Sequence, residues 1–168
     1  MPPVVSNAGP LIALAKLNLL DILSKLYGRV HIPLAVYEEA VIAGMQRGYE
    51  DAFRLFSFLI DVGWEPEKVT AIPQDLIASG LDKGEKESIA LALEKGALLL
   101  IDEEEGREQA RKRGLKVRGT LGILVEAYRH ELLTSEQLRS YFQQIEEDEE
   151  IWISSRLCHR VLREVLGE

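Results

Sequence analysis

Apolar positions fall along this chain in two kinds of run. Short unbroken blocks occur at Val4-Val5-Ser6, Val30-His31-Ile32 and Ala97-Leu98-Leu99-Leu100-Ile101, with a weaker one at Lys116-Val117-Arg118. A short apolar run without alternation predicts a strand covered on both faces, as in a parallel sheet. Between these blocks the spacing is helical. Pro10 opens a helix with Leu11, Ile12, Leu14 and Ala15 on one side. Asn18 precedes a second helical stretch carrying Leu19, Leu20, Leu23 and Leu26, which Gly28 stops. Pro33 opens a helix over residues 34–43 that Gly44 is expected to end. Residues 49–60 form an amphipathic helix with Phe53, Phe56 and Leu59 on its apolar side.

The second half repeats the alternation. Residues 64–73 predict a loop with a short strand at 68–72, and residues 75–79 a single helical turn. A helix over 85–95 points Ile89, Ala90, Ala92 and Leu93 inward and stops at Gly96. After the strand at 97–101 come a helix over 103–113, ended by Gly114, and a helix from Thr120 to His130. Thr134 and Gln137 have capping-box spacing for a helix to about Ile145. Ser154 or Ser155 caps a last helix with Leu157, Val161, Leu162, Val165 and Leu166 apolar. Strands alternating with helices mean βαβ units with right-handed crossovers. The expected fold is α/β, a three-layer α/β/α sandwich on a mostly parallel central sheet.

Composition narrows the class. The 168 residues suit one domain over 1–168 that buries about 70% of its unfolded surface. No apolar run nears the roughly 20 residues of a membrane helix; the most apolar stretch, 11–23, is broken by Lys16, Asn18 and Asp21. No membrane partner is expected. Neither is a secretory signal, since no basic segment precedes an apolar core. Cys158 is the only cysteine, so no internal disulfide forms, which fits a reducing, cytoplasmic setting.

Charge adds a contrast. The net charge of −8 disfavours binding nucleic acid by bulk electrostatics. Yet residues 107–118 hold Arg107, Arg111, Lys112, Arg113, Lys116 and Arg118 against one acid, Glu108. That cluster is either a steering surface for RNA phosphates or a solvated helix face with local ion pairs. The five acids 146–150 read as a solvated helix end, and Trp152 and Ile153 as core or a self-association contact.

The strand at 97–101 runs straight into Asp102-Glu103-Glu104-Glu105. In open α/β sheets, ligands bind outside the carboxyl ends of strands. Asn7 ends the first strand, Glu39 lies in the helix after Pro33, and Glu85 opens the helix before the central strand. Oxygens converging from separate segments suit a hard cation such as Mg²⁺ or Mn²⁺, which needs only one or two carboxylates. Such an ion polarises a phosphoryl oxygen and acidifies a water. Each residue also has a plainer role: Asp102 as a helix N-cap, Asn7 as a turn residue, and Thr120 as a cap rather than a phosphate contact. The three histidines are scattered, which argues against zinc. No phosphate-loop, dinucleotide or nucleophile-elbow motif is present.

Four segments together carry a resemblance: VVSNAGPLIALAKLNLLDIL, HIPLAVYEEA, GEKESIALALEKGALLLIDEEEGREQARKRG and VRGTLGIL. Their order over roughly residues 3–133 resembles the PIN-like domain family, closest to its predicted nucleic-acid-binding proteins of unknown function. Residues 134–168 would then be a C-terminal helical extension. The resemblance implies a parallel sheet between helices and a metal-dependent ribonuclease, often the toxin of a toxin–antitoxin pair. It implies a metal set of Asn7, Glu39, Glu85 and Asp102, with Asp102, Glu85 and Glu39 catalytic and Glu103 or Glu105 as helpers. RNA contacts are expected at Arg107, Arg111, Arg113 and Thr120. Expected partners are RNA, an antitoxin-like protein and a second copy of the chain. Asn7 stands where the family has Asp. An amide oxygen ligates a cation but brings no charge, so the alternative is a weakly active or inactive nucleic-acid- or protein-binding module.

Overall fold

The computed structural model describes residues 2–167, in two compact units that meet in sequence at Thr120 and Leu121. The first unit contains the sheet. Strands β1 (Val4–Ser6), β2 (Leu98–Leu100) and β3 (Val117–Arg118) pair in parallel in the order β1-β2-β3. The register sets Ser6 opposite Leu100 and Leu100 opposite Arg118. Helices flank the sheet, as expected of a PIN-like α/β sandwich. They are α1 (Ala8–Lys16), α2 (Asp21–Tyr27), α3 (Leu34–Tyr37), α4 (Gly44–Gln46), α5 (Glu50–Val62), α6 (Gln74–Ile77), α7 (Lys83–Lys95) and α8 (Glu104–Lys112).

Val5, Leu99 and Ile101 from the strands pack with Ile89, Leu91 and Ala92 of α7 in one buried cluster. Each large aliphatic side chain buried there contributes about 1.5–3 kcal/mol. Helix α7 starts earlier than the spacing predicts, because Asp82 caps it by accepting from the Glu85 N–H at 2.8 Å. It stops at Gly96, whose φ of +64° is a left-handed conformation that suits glycine.

Three expectations change. The strand expected at 30–32 shrinks to a single parallel bridge, Val5 to His31, and the one expected at 68–72 does not form; a second bridge, Pro33 to Glu67, lies just before it. Pro33, two residues after the first bridge, has no N–H to extend that ladder, and it is itself the partner of Glu67 in the second. A hydrogen bond between the His31 and Glu67 side chains ties the two bridges together.

The helix expected to end at Gly44 runs on. Between α3 and α4, residues Glu38–Ala43 form a π-helical stretch, and Gly44 is helical at φ −64°. A β-carbon on Gly44 would lie 2.6 Å from the Ala52 β-carbon. The glycine therefore serves a close helix approach, and the chain turns instead at Gly48, with φ +75°. In α5 the packed side is Ala52, Leu55 and Leu59, while Phe53 and Phe56 are exposed.

The second unit contains most of α9 (Thr120–Arg129), α10 (Ser135–Glu147) and α11 (Ser155–Leu166). Thr134 and Gln137 form the full capping box, and Ser154 caps α11. Leu138, Phe142, Ile145 and Cys158 are buried. Trp152 is 93% exposed and so is not core. Glu146 pairs with His159 at 2.8 Å, linking α10 to α11. Among the described residues, no helix is long and apolar enough to cross a membrane.

Gly44→Ala separates packing from helix propensity. Propensity alone favours alanine by up to about 1 kcal/mol, whereas overpacking against Ala52 costs about 1–3 kcal/mol. The expected outcome is a thermal midpoint lowered by several degrees. A raised midpoint would mean that the two helices have room for a methyl group.

Candidate functional site

The carboxyl ends of β1 and β2 lie side by side, fixed by the Asn7 N–H donating to Leu100 O at 2.9 Å. Asn7 occupies the N-cap position of α1, with φ −78° and ψ 173°, yet its side chain makes no capping bond. It turns inward and is only 8% exposed. Its Oδ1 accepts from the Ser88 hydroxyl at 3.3 Å. Asparagine caps helices well, so this side chain is directed elsewhere.

It is directed at the start of α7. A β-carbon placed on Gly84 would lie 3.4 Å from Glu39 Oε1, 3.5 Å from Asp82 Oδ1 and 3.6 Å from Asn7 Oδ1. Three oxygens from three segments thus ring one small space that exists because residue 84 has no side chain. Asn7, Gly84 and Glu85 are buried, and Asp82 and Glu39 are solvent-exposed. Glu39 belongs to the π-helical stretch, and such stretches recur at functional sites.

The electrostatics are one-sided. Burial, then a hydrogen bond and like charge from Asp82, push the Glu85 carboxyl up to about 7, and Glu103 adds to this. Partial burial and then Asp82 also raise Glu39. What perturbs both groups is desolvation and other acids, the condition a bound cation relieves.

Asp102 is occupied differently. Its Oδ1 accepts from the Thr120 N–H at 2.7 Å and its Oδ2 from the Thr120 hydroxyl at 2.6 Å. It therefore caps the helix that follows β3, while Glu103 caps α8 through the Gly106 N–H at 2.8 Å. Burial raises the Asp102 carboxyl, against the opposing pull of the Thr120 bonds and Arg107. A β-carbon on Gly119 would come within 2.8 Å of Asp102 Oδ1 and 2.9 Å of Arg107 Nη1. That close approach makes residue 119 a glycine position.

The structure therefore gathers Asn7, Glu39 and Glu85 and adds Asp82. Asp102 stands with Thr120 and Arg107, outside the ring of oxygens over Gly84. Among the described residues, no three His, Cys, Asp or Glu side chains form a ready-made metal cluster. The cradle offers two carboxylates and an amide, with Glu85 bonded to Asp82 beside them. An oxygen-only set with one or two carboxylates and solvent access is what Mg²⁺ or Mn²⁺ takes when water fills the remaining positions. On chemistry and space, the residues present fit such an ion.

The expected RNA contacts divide as well. Arg111 is exposed. Arg107 donates to Ile101 O at 3.0 Å, and Arg113 pairs with Asp75 at 2.6 Å. Thr120 is fully buried on Asp102. Sequence reasoning missed Asp82 and Gly84. Asp82-x-x-Glu85 has the spacing of an N-terminal cap, which was the available signal. It also gave Glu87 no clear role; Glu87 Oε1 accepts from the Ala35 N–H at 3.1 Å and so serves the start of α3.

A parallel sheet with an acidic, oxygen-only cradle at its strand ends defines a class of α/β domain suited to cation-assisted phosphate chemistry. The family model DUF3368, described as a PIN domain, matches residues 3–167. The chain belongs to the PIN domain family, and the match runs through the C-terminal helices beyond the segments that carry the sequence resemblance. PIN is a nuclease-type fold whose members generally use divalent metals. Among curated proteins, none matches the chain.

The raised Glu85 carboxyl makes a signed prediction for the metal-free protein. In the unfolded chain this group titrates near 4.5, and in the fold at about 7. Its contribution to stability is therefore full below about 4.5 and is lost as pH rises through 7. Glu85→Gln mimics the protonated form. The variant should melt about 2–4 °C above wild type at pH 8, for roughly 1 kcal/mol recovered, and equal to it at pH 4.5. The same difference at both pH values would show that Glu85 ionises freely in the fold.

Proposed function

We propose that the chain is a divalent-metal-dependent ribonuclease that hydrolyses phosphodiesters, with its cation held over Gly84. The observation that carries this is the convergence of Asn7, Glu39 and Asp82 oxygens, all within 3.6 Å of one open point. Glu85 interacts with Asp82 beside them. A divalent cation there would supply a Lewis acid for a phosphoryl oxygen and lower the pKa of a water. Glu39, which is solvent-exposed, faces an incoming substrate. Glu85, buried next to Asp82, adds a further acid beside the cradle. Asp102 positions the edge by clamping Thr120, and Arg111 offers the open cationic contact for an RNA backbone. Service as the toxin of a toxin–antitoxin pair is one setting for this activity and would add a protein partner.

A second reading has its own support. The neutral Asn7 amide and the commitment of both Asp102 oxygens to Thr120 favour a recognition module with weak catalysis.

The test is single-stranded RNA with Mn²⁺ and pure protein, beside Glu39→Gln and Gly84→Ala. Wild type should cleave, and Glu39→Gln should be slower by about 10–100-fold. Gly84→Ala should lose activity while melting no lower than wild type, since alanine suits a helix interior better by up to about 1 kcal/mol. Equal rates for wild type and Glu39→Gln would assign the cleavage to another site or a contaminant. RNA binding without cleavage would favour the recognition module.

A further inference from the structure

We infer that Asp82 carries the cation-directed charge that the Asn7 amide does not supply, while also capping α7. The inference rests on the metal-dependent reading above and names a residue that reading needs. Of the three oxygens around the open point, Asn7 Oδ1 is neutral, and Glu39 and Asp82 bring the charge. The Asp82 oxygen that faces this point, Oδ1, is also the one that accepts the Glu85 N–H at 2.8 Å. The cap bond thus fixes the orientation of the carboxylate toward the cradle. Asp82 is a solvent-exposed residue. The Glu85 side chain bonds to it as well, and its like charge reaches Glu39. Asp82 is thus the acid whose charge acts on both Glu39 and Glu85. A cap alone needs no charge, since Asn and Ser cap helices about as well as Asp. Here the acid stands opposite a neutral amide, across a space held open by a glycine.

The two jobs separate by substitution. Asp82→Asn keeps the cap and removes the charge. Asn7→Asp puts a charge on the opposite wall. Mn²⁺ affinity of the full chain is measured by calorimetry for wild type, Asp82→Asn, Asn7→Asp and the double variant, with a thermal melt of each metal-free protein. Asp82→Asn should bind Mn²⁺ about 10–100-fold more weakly, with a metal-free midpoint no lower than that of wild type. The double variant should recover to within a few-fold of wild type. Asp82→Ser serves the same purpose if the Asn variant melts early, because serine also caps. Mn²⁺ binding by Asp82→Asn as tight as wild type would overturn the inference and leave the metal-dependent reading standing. Binding by Asn7→Asp with wild type silent would overturn it too, by showing that Asp82 does not replace the missing charge. Silence from both wild type and Asn7→Asp would remove the metal-dependent reading itself.

Discussion

Like charge gathered at the strand ends is the constraint that the first unit is arranged around. Glu39, Asp82 and Glu85 are held near one another, and the influences that raise Glu39 and Glu85 are desolvation and further acids. The neighbouring acids are treated differently. Asp102 takes two hydrogen bonds from Thr120, Glu103 takes one from Gly106, and Glu87 takes one from Ala35. Each of these satisfies an N–H that a helix start leaves without a partner inside the helix. The acids of this edge thus include some that are bonded to N–H groups at helix starts and some that face one another. Asp82 belongs to both, which is why it links the scaffold to the cradle. Charge repulsion retained in a fold of modest net stability is a cost that a bound cation would remove.

The cradle depends on three pieces of backbone that do not follow the simplest geometry. The π-helical stretch Glu38–Ala43 advances the helix by one residue in a turn. It brings Glu39 Oε1 to the cradle while Ala40 and Val41 stay buried. Gly84 leaves a gap in the first turn of α7 where an alanine methyl would sit against three oxygens. Asn7 forgoes the capping bond its position allows and accepts from Ser88 instead. Each departs from what local preference alone favours, and all three face the same space. Such local conflicts are expected to concentrate at functional sites.

Much of this arrangement was legible in the residue pattern, and the rest was hidden for definite reasons. The α/β alternation, the strand at Leu98–Leu100 and the capping box at Thr134 and Gln137 follow from periodicity and capping chemistry. The bridge at His31 read as a strand because an apolar run predicts extended chain without revealing that Pro33 stops the ladder. Gly44 read as a stop because a sequence shows a glycine but not Ala52 packed against it. Asn7, Glu39 and Glu85 stood out because oxygens at strand ends and helix starts are visible in one dimension. Asp82 did not, since its cap explains it fully until the fold shows what its other side faces.

Register makes these local features one device. The Asn7 N–H bonds Leu100 O at 2.9 Å, and the Ile101 N–H bonds Arg118 O at 2.9 Å. Slipping β1 by one residue against β2 would turn Asn7 to the opposite face and take its oxygen from the cradle. Slipping β3 would carry Thr120 away from Asp102. Asp102 follows directly on Ile101 and holds Thr120 by two bonds at 2.7 and 2.6 Å, so it resists that second slip where the short ladder ends. A ladder of three strands, none longer than three residues, has few backbone bonds to define its register. Two side-chain bonds from one residue at its end are an additional tie on that register. Asp102 also lies against α1, where a β-carbon on Gly9 would sit 3.5 Å from its Oδ2, so it borders the helix that Asn7 opens.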